Sequence, residues 1–313
     1  MTAHADDFDV VTGAFSYSGA AIATELIDAG RRVRTVTGHP DRAPAGTPIE
    51  ARPLNFDDPA ELTRSLRGAH TLYNTYWVRF AHGHVDHAAA VDNSRTLFQA
   101  AAAAGVQRIV HVSITNPSLD SPYPYFRGKA EVEQILADLG VAHAIVRPAI
   151  LFGGDGVLIN NIAWLLRRLP VFAIGGHGSY RIRGIHVQDL ARLCVEFGAR
   201  TDTVVVDAVG PQSLTFRELV DTVRTVVNSH AVIVPVPARA LTALSSTLSL
   251  ILRDRLLTRE EYQAMAHGLA DSDSPATGTI KITDWITEHA PELGRRYANE
   301  LDRHFRPPVW RAA

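Results

Sequence analysis

The stretch VVTGAFSYSGAAIATELIDAG (residues 10–30) constrains this chain more than any other. It opens in a short apolar β-branched run, the signature of a buried strand. It closes, from about Gly19 to Ala29, in residues that favour a helix. Between the two, Gly13, Ser16 and Gly19 occupy the three positions of a G-x-x-G-x-x-G turn. A strand feeding a helix through so tight a turn is the first step of a sheet covered by helices.

The same alternation continues through the first half. Phe8 to Thr12 reads as the first strand, RRVRTVT as the second, IEARPLN as the third and HTLYNT as the fourth. A helix is expected from Val85 to Ala104, stopped by Gly105. QRIVHVS gives a fifth strand, Tyr125 to Leu139 a helix ended by Gly140, and VAHAIVRP a sixth strand closed by Pro148. After Gly153 the rhythm changes to helices and short strands, with one further β-rich run, TVVVDAVG, that returns to the main sheet. The expected architecture is α/β: a doubly wound parallel Rossmann sheet with a smaller C-terminal α/β lobe laid over the carboxyl ends of the strands. Residues 1–153 form the nucleotide domain, rejoined by 185–210, and residues 154–313 mainly a substrate-binding lobe.

Bulk composition removes several function classes. Lys and Arg number 31 against 33 Asp and Glu, so no strong field favours nucleic acid or an anionic surface. With Cys194 as the one cysteine, an internal disulfide is impossible; its setting, LARLCVEF, is that of a buried small hydrophobe. The acidic start MTAHADDFDV lacks the apolar core of a signal peptide. ALTALSSTLSLIL (Ala240 to Leu252) is too short to span a bilayer and is expected to pack on the protein or on a partner. These points predict a cytoplasmic protein with no membrane span, a small-molecule substrate and scope for a homo-oligomer.

The glycine turn lets backbone N–H groups approach a pyrophosphate at a helix N-terminus, where the helix dipole favours negative charge. The middle glycine is replaced by Ser16, which is small enough to keep the turn and adds a hydroxyl. The end of the second strand, VRTVTGHPDR, selects the cofactor. An acidic residue there would bind the ribose of NAD; here Thr37 and Gly38 stand instead, with Arg34, His39 and Arg42 as nearby cations. With no carboxylate to repel a 2′-phosphate, the balance favours NADP over NAD. Arg42 equally suits a solvated loop.

YFRGKAEVEQIL places Tyr125 and Lys129 four residues apart, on one face of a helix. A nearby ammonium lowers a phenol pKa and makes it a usable acid/base. The pair follows a strand that ends in the hydroxyls of Ser113 and Thr115, candidates to bind a substrate oxygen. Read alone, the two residues could equally be a surface pair.

Together these segments resemble the short-chain dehydrogenase/reductase superfamily, of the extended or atypical type related to NAD(P)-dependent epimerases and dehydratases. The resemblance covers nearly the whole chain and rests on TGAFSYSG, VDNSRTLFQAA, HVSIT, YFRGK, RPAILFGG and IHVQDLA. It implies Tyr125 as acid/base, Lys129 as its helper and ribose ligand, and Thr115 as the catalytic hydroxyl, with Ser113 two positions before it. It implies that Gly13, Ala14, Phe15, Ser16, Tyr17, Ser18 and Gly19 face the pyrophosphate, and that Thr37, Gly38, His39 and Arg42 meet the adenosine ribose. Phe56 and Asp57 would flank adenine. Asn74, Thr75, Tyr76, Asn93 and Val112 would lie along the cofactor, with Pro148, Ile150 and Leu151 near the nicotinamide. Ile150 stands where nucleotide-sugar epimerases keep an Asn, which speaks against a sugar nucleotide. The nearest look is to the complex I accessory subunit with this fold and to NmrA-like proteins, relatives that often bind NADP without catalysis. The implied activity is hydride transfer to or from a small hydroxyl or carbonyl substrate; a non-catalytic NADP-binding sensor or assembly subunit is the alternative.

Three further constellations carry less. His82, His84, Asp86 and His87 have metal-binding residue types but read better as polar loop residues, so no metal is expected. The run Tyr73 to Phe80 could wall an apolar substrate pocket or simply fill the core. His186 reads as structural, whereas Arg181 and Arg183 could pair with a substrate anion or stay solvated.

Overall fold

The computed structural model describes residues 8–80 and 86–301. In chain order the elements begin β1 (Phe8–Thr12), α1 (Tyr17–Asp28), β2 (Arg32–Thr37), β3 (Glu50–Pro53), α2 (Pro59–Leu66), β4 (Ala69–Asn74) and α3 (His87–Ala103). There follow β5 (Arg108–Val112), α4 (Pro124–Asp138), β6 (Ala142–Pro148), β7 (Ile150–Phe152), α5 (Val157–Arg168), β8 (Val171–Gly175), β9 (Arg181–Ile182) and β10 (Gly184–His186). The remainder is α6 (Val187–Gly198), β11 (Val204–Ala208), β12 (Leu214–Thr215), α7 (Phe216–Val226), β13 (Val232–Val236), α8 (Ala238–Leu252), α9 (Arg259–Ala266) and α10 (Ile282–Glu288).

Two compact units emerge. The first comprises residues up to Pro148, Val187–Val209 and Ser274–Gly278. Its seven strands run in the order β11-β6-β5-β4-β1-β2-β3, every neighbouring pair parallel. The run after residue 203 does return to this sheet, as its edge strand β11 beside β6. Strands β1 and β5 are buried at every residue, as a sheet covered on both faces requires. On one face Leu62, Leu66, Leu97, Phe98, Val132 and Leu136 of α2, α3 and α4 close over Val10, Leu72, Ile109 and Ile145. Helices α1 and α6 pack on each other and on the strands. The doubly wound α/β reading therefore holds. Strand order reverses between β1 and β4, and the crevice beyond such a reversal is where this architecture binds ligands.

Local chemistry sets the helix starts. The Asp58 carboxylate accepts from Glu61 N–H at 2.9 Å at the head of α2, and Asp86 accepts from Ala89 N–H at 2.8 Å at the head of α3. Gly105, at φ 80°, ends the α3 segment in the left-handed conformation that few other residues accept.

The second unit comprises Ala149–His186, Gly210–Asp273 and the chain from Thr279 onward. Its core joins Phe152, Ile159, Leu166, Ile174, Leu219, Val223, Trp285 and Ile286. Three two-stranded sheets belong to it: β10-β7 and β13-β8, both parallel, and β12-β9, antiparallel. Helix α7 starts on a reciprocal capping box between Thr215 and Glu218.

Candidate functional site

The glycine turn is built as close packing demands. Gly13 holds φ 61° and donates its N–H to Val36 O at 3.0 Å. A Cβ on Gly19 would lie 2.2 Å from Gly13 O, so only glycine lets α1 approach the end of β1 this closely. Ser16 is the N-cap of α1; its hydroxyl donates to Gly13 O at 2.6 Å and its N–H to the same oxygen at 2.8 Å. Ala14 is buried, and its N–H donates to Thr35 Oγ1 at 3.0 Å. The first rung of the α1 ladder is Ala20 N–H to Ser16 O. The N–H groups of Tyr17, Ser18 and Gly19 therefore precede the ladder, beside exposed Phe15 and Ser16. This is a fitting cradle for a diphosphate.

Across the strand reversal, a polar network ties the end of β1 to the end of β4. Thr12 Oγ1 accepts Thr75 N–H at 2.7 Å and Tyr76 N–H at 3.1 Å, and donates to Asn74 Oδ1 at 3.2 Å. Thr75 Oγ1 returns a bond to Thr12 O at 2.7 Å. With its Oδ1 so used, Asn74 turns its Nδ2 to His111 Nδ1 at 3.0 Å. His111 is fully buried in β5, and burial together with the Lys129 charge holds its pKa well below the ordinary value. Its Nε2 has no hydrogen-bond partner among the described residues. Asn93, on α3, donates to the Tyr76 hydroxyl at 2.8 Å, and the Tyr76 ring leans on Phe56 at 4.9 Å. Phe56, Asn74, Thr75, Tyr76 and Asn93 thus meet in one place.

Tyr125 and Lys129 lie one turn apart near the head of α4. Lys129 is 2% exposed; its Nζ donates to Val112 O at 2.9 Å and sits 4.6 Å from the centre of the Trp77 ring. Burial lowers its pKa to about 7, against a smaller opposing pull from Glu133. The half-buried Tyr125 ring meets the same indole edge-on at 5.7 Å, His87 at 5.6 Å and Phe126 at 5.6 Å. Gly128 makes room for this indole, since a Cβ there would come within 3.0 Å of it. Trp77 also stacks on His87 at 5.9 Å with planes 9° apart, and its Nε1 has no acceptor among the described residues.

The two hydroxyls after β5 have different surroundings. Ser113 Oγ donates to Glu133 Oε1 at 2.5 Å, and that carboxylate also pairs with Arg147. Ser113 is thereby drawn into a partly buried ion pair. Thr115 is 0% exposed, and its N–H donates to Pro148 O at 3.0 Å.

At the end of β2, Thr37 Oγ1 accepts His39 N–H at 3.3 Å, and Gly38 and His39 are exposed. The Arg42 side chain lies outside the described part. Arg34 is committed elsewhere: it pairs with Glu50 at 2.8 Å, donates to Ser65 O and covers the Phe8 ring at 4.0 Å. Asp57 is exposed, its N–H held by Asn55. Ile150 and Leu151 fall in the second unit, on β7. His82 and His84 lie outside the described residues. Asp86 is the N-cap of α3. Arg183 bonds the Gly210 and Ser272 carbonyls, and Arg181 pairs with Asp271 at 3.4 Å. Cys194 is buried, which raises its pKa to about 12.

Sequence reasoning passed over His111, Glu133 and Arg147. His111 left a faint signal as a polar residue inside the apolar run RIVHV. Glu133 left another, four residues beyond Lys129 on the inward face of α4.

Residues 13–163 match a family model described as NAD(P)H-binding. An uncharacterized Mycobacterium tuberculosis protein is 28% identical over 67% of this chain, which spans 22% of that protein's length. A (4-alkanoyl-5-oxo-2,5-dihydrofuran-3-yl)methyl phosphate reductase of Streptomyces griseus is 27% identical over 67% of this chain and 70% of its own. A mitochondrial NADH dehydrogenase [ubiquinone] 1 alpha subcomplex subunit 9 of Dictyostelium discoideum is 29% identical over 37% of this chain and 33% of its own. Among solved structures, the Escherichia coli NADPH-dependent quinone oxidoreductase QOR2 with NADPH superposes with a TM-score of 0.74 at 20% identity, covering 91% of this chain and 99% of that one. Citrobacter sp. triphenylmethane reductase with NADP(H) gives 0.74 at 18% identity over 90% and 99%.

Proposed function

We propose, for a chain that carries an NAD(P)H-binding domain over residues 13–163 and the fold of the short-chain dehydrogenase/reductase proteins, that it is an NADPH-dependent reductase of a small carbonyl compound. The observation that carries this reading is the shared Trp77 ring. Tyr125 and Lys129 both lie against it, 5.7 Å and 4.6 Å from its centre, which supports a phenol and an amine serving one site.

The cofactor fits the residues present. The amides that open α1 would hold its diphosphate, and Phe56 with Tyr76 would flank its adenosine half. When bound, its nicotinamide supplies the hydride. Tyr125 donates the proton that turns the substrate oxygen into a hydroxyl. Lys129 in its protonated form lowers the pKa of that phenol, and its amine holds the nicotinamide ribose. The substrate oxygen is assigned to Thr115, which stands where extended members of the resembled family keep the catalytic hydroxyl. Reduction is preferred over epimerisation because several relatives are named as reductases and Ile150 replaces the Asn of nucleotide-sugar epimerases. NADP is preferred because neither Thr37 nor Gly38 would repel a 2′-phosphate.

The test is NADPH oxidation with a panel of quinones, enones, ketones and aldehydes, alongside calorimetric titration with NADPH and NADH. Tyr125→Phe should lower turnover about 10²–10⁴-fold and leave NADPH affinity unchanged. A Tyr125→Phe enzyme that turns over like wild type defeats the assignment. A second reading, a non-catalytic NADP-binding subunit, draws on the indole lying over Lys129 and on the fully buried Thr115. Tight NADPH binding with no turnover of any panel member would select it.

A further inference from the structure

We propose that helix α8 seats this protein on the surface of an anionic phospholipid bilayer. From Ala240 to Leu252 the helix carries no charged residue, yet it is not enclosed. Leu250 is 81% exposed, Ile251 72% and Leu244 53%; the first two are the largest exposures of big hydrophobic residues among the described residues. With Ala240, Ala243 and Thr247 they make one continuous outward strip.

Two of the five hydroxyls on the helix are used inward: Ser245 donates to Leu257 O at 2.9 Å, and Ser249 accepts Leu256 N–H at 3.3 Å. Leu241 is buried on that same side. The hydroxyls of Thr242, Ser246 and Thr247 donate back to carbonyls of the helix itself. A surface helix ordinarily turns its polar side to water and its apolar side to the core. Here all five hydroxyls are engaged within the protein while three large aliphatic side chains are offered outward.

Charge identifies the occupant. Arg239 stands at the start of the helix and Arg253 and Arg255 at its end, and the acid between the latter two, Asp254, is buried; Arg259, further on, is followed at once by Glu260 and Glu261. Asp254 is occupied with the Tyr297 hydroxyl and the N–H groups of Glu300 and Leu301. The charged side chains that directly flank this exposed apolar helix without being buried, Arg239, Arg253 and Arg255, are thus all positive in a chain that is net negative. Aliphatic residues flanked by arginines match the boundary between acyl chains and anionic headgroups. The strip is about 17 Å long and about 10 Å wide. That is well short of the roughly 800 Å² each partner contributes to a stable protein complex. A bilayer needs no such complementary area. The helix would lie on the membrane: none among the described residues is long and apolar enough to cross one.

The full-length protein is sedimented with vesicles of phosphatidylcholine, with and without phosphatidylglycerol. Its oligomeric state is measured in parallel by light scattering. Pelleting with the phosphatidylglycerol vesicles is expected, weakening as salt rises. The double variant Leu250→Glu, Ile251→Glu should bind at least tenfold less. Both side chains are outward, so folding is preserved, and an unchanged far-ultraviolet circular dichroism spectrum and thermal unfolding profile of the variant check this. Absence of vesicle binding overturns the proposal, as does binding that the double variant retains. A dimer that the same variant dissociates would assign the strip to a second copy and overturn it equally.

Discussion

Lys129 is where the physical tension of this molecule is greatest. A lysine buried to 2% exposure keeps one hydrogen bond, to Val112 O, and the face of an indole. Neither replaces the water an ammonium loses, so its pKa falls from 10.5 to about 7. Between those values the unfolded chain holds a proton that the folded chain has released. Stability from this group therefore rises as pH climbs from about 7 towards 10.5, and below about 7 the full cost of burying the charge is felt. Urea unfolding of wild type and Lys129→Met at pH 7 and pH 9 should show wild type gaining stability relative to the variant. A constant difference would show that the lysine is solvated. The pairing of Lys129 with Tyr125 was legible from a four-residue spacing, because a helix turns spacing into proximity. The engagement of Ser113 by Glu133 was not, since it joins residues 20 apart across a strand and a helix. The commitment of Arg34 to Glu50 and Ser65, which removes it as a phosphate ligand, likewise depends on which strand lies next to which.

At the scale of elements, the turn between β1 and α1 is the most demanding piece. Helix α1 is held so near the strand end that Gly19→Ala would place a methyl 2.2 Å from the Gly13 carbonyl oxygen, a backbone atom that cannot step aside. The helix must retreat, at a cost of about 1–3 kcal/mol, and the amides that open it retreat too. NADPH affinity measured by titration should fall at least about tenfold, while Ser16→Gly, which removes only the hydroxyl bond to Gly13 O, should change it little. Equal effects from both substitutions would mean that the turn does not hold the diphosphate. The elements themselves were readable because buried parallel strands are short apolar runs and glycines close the helices between them. Helix α1 was expected from Gly19 and begins at Tyr17, because the N-cap is Ser16 and the turn is tighter than its spacing suggests. What no periodicity exposes is the Thr12–Asn74–His111 network, which exists only because β1, β4 and β5 are neighbours.

The whole chain divides its labour unevenly. Gly13 to Gly19, Thr37, Phe56, Asn74, Asn93, Thr115, Tyr125 and Lys129 all belong to the first unit, although that unit is assembled from three separated stretches of sequence. The second unit has a core of its own, from Phe152 to Leu293. A ligand stabilises only the structure whose unfolding destroys its site. At a hundred times its dissociation constant, NADPH should add about 2.7 kcal/mol to the opening free energy of that structure. Hydrogen exchange should therefore slow most at amides of β1, β4 and β5, and much less at amides of α5 and α7. Equal slowing in both sets would mean that the two cores open only together, and that cofactor binding secures the entire fold. The unequal pattern is expected because each cluster is closed by its own apolar residues, Leu72, Phe98 and Ile109 in one and Ile174, Leu219 and Ile286 in the other. A core that keeps its own contacts when the other opens gains nothing from a ligand it does not touch.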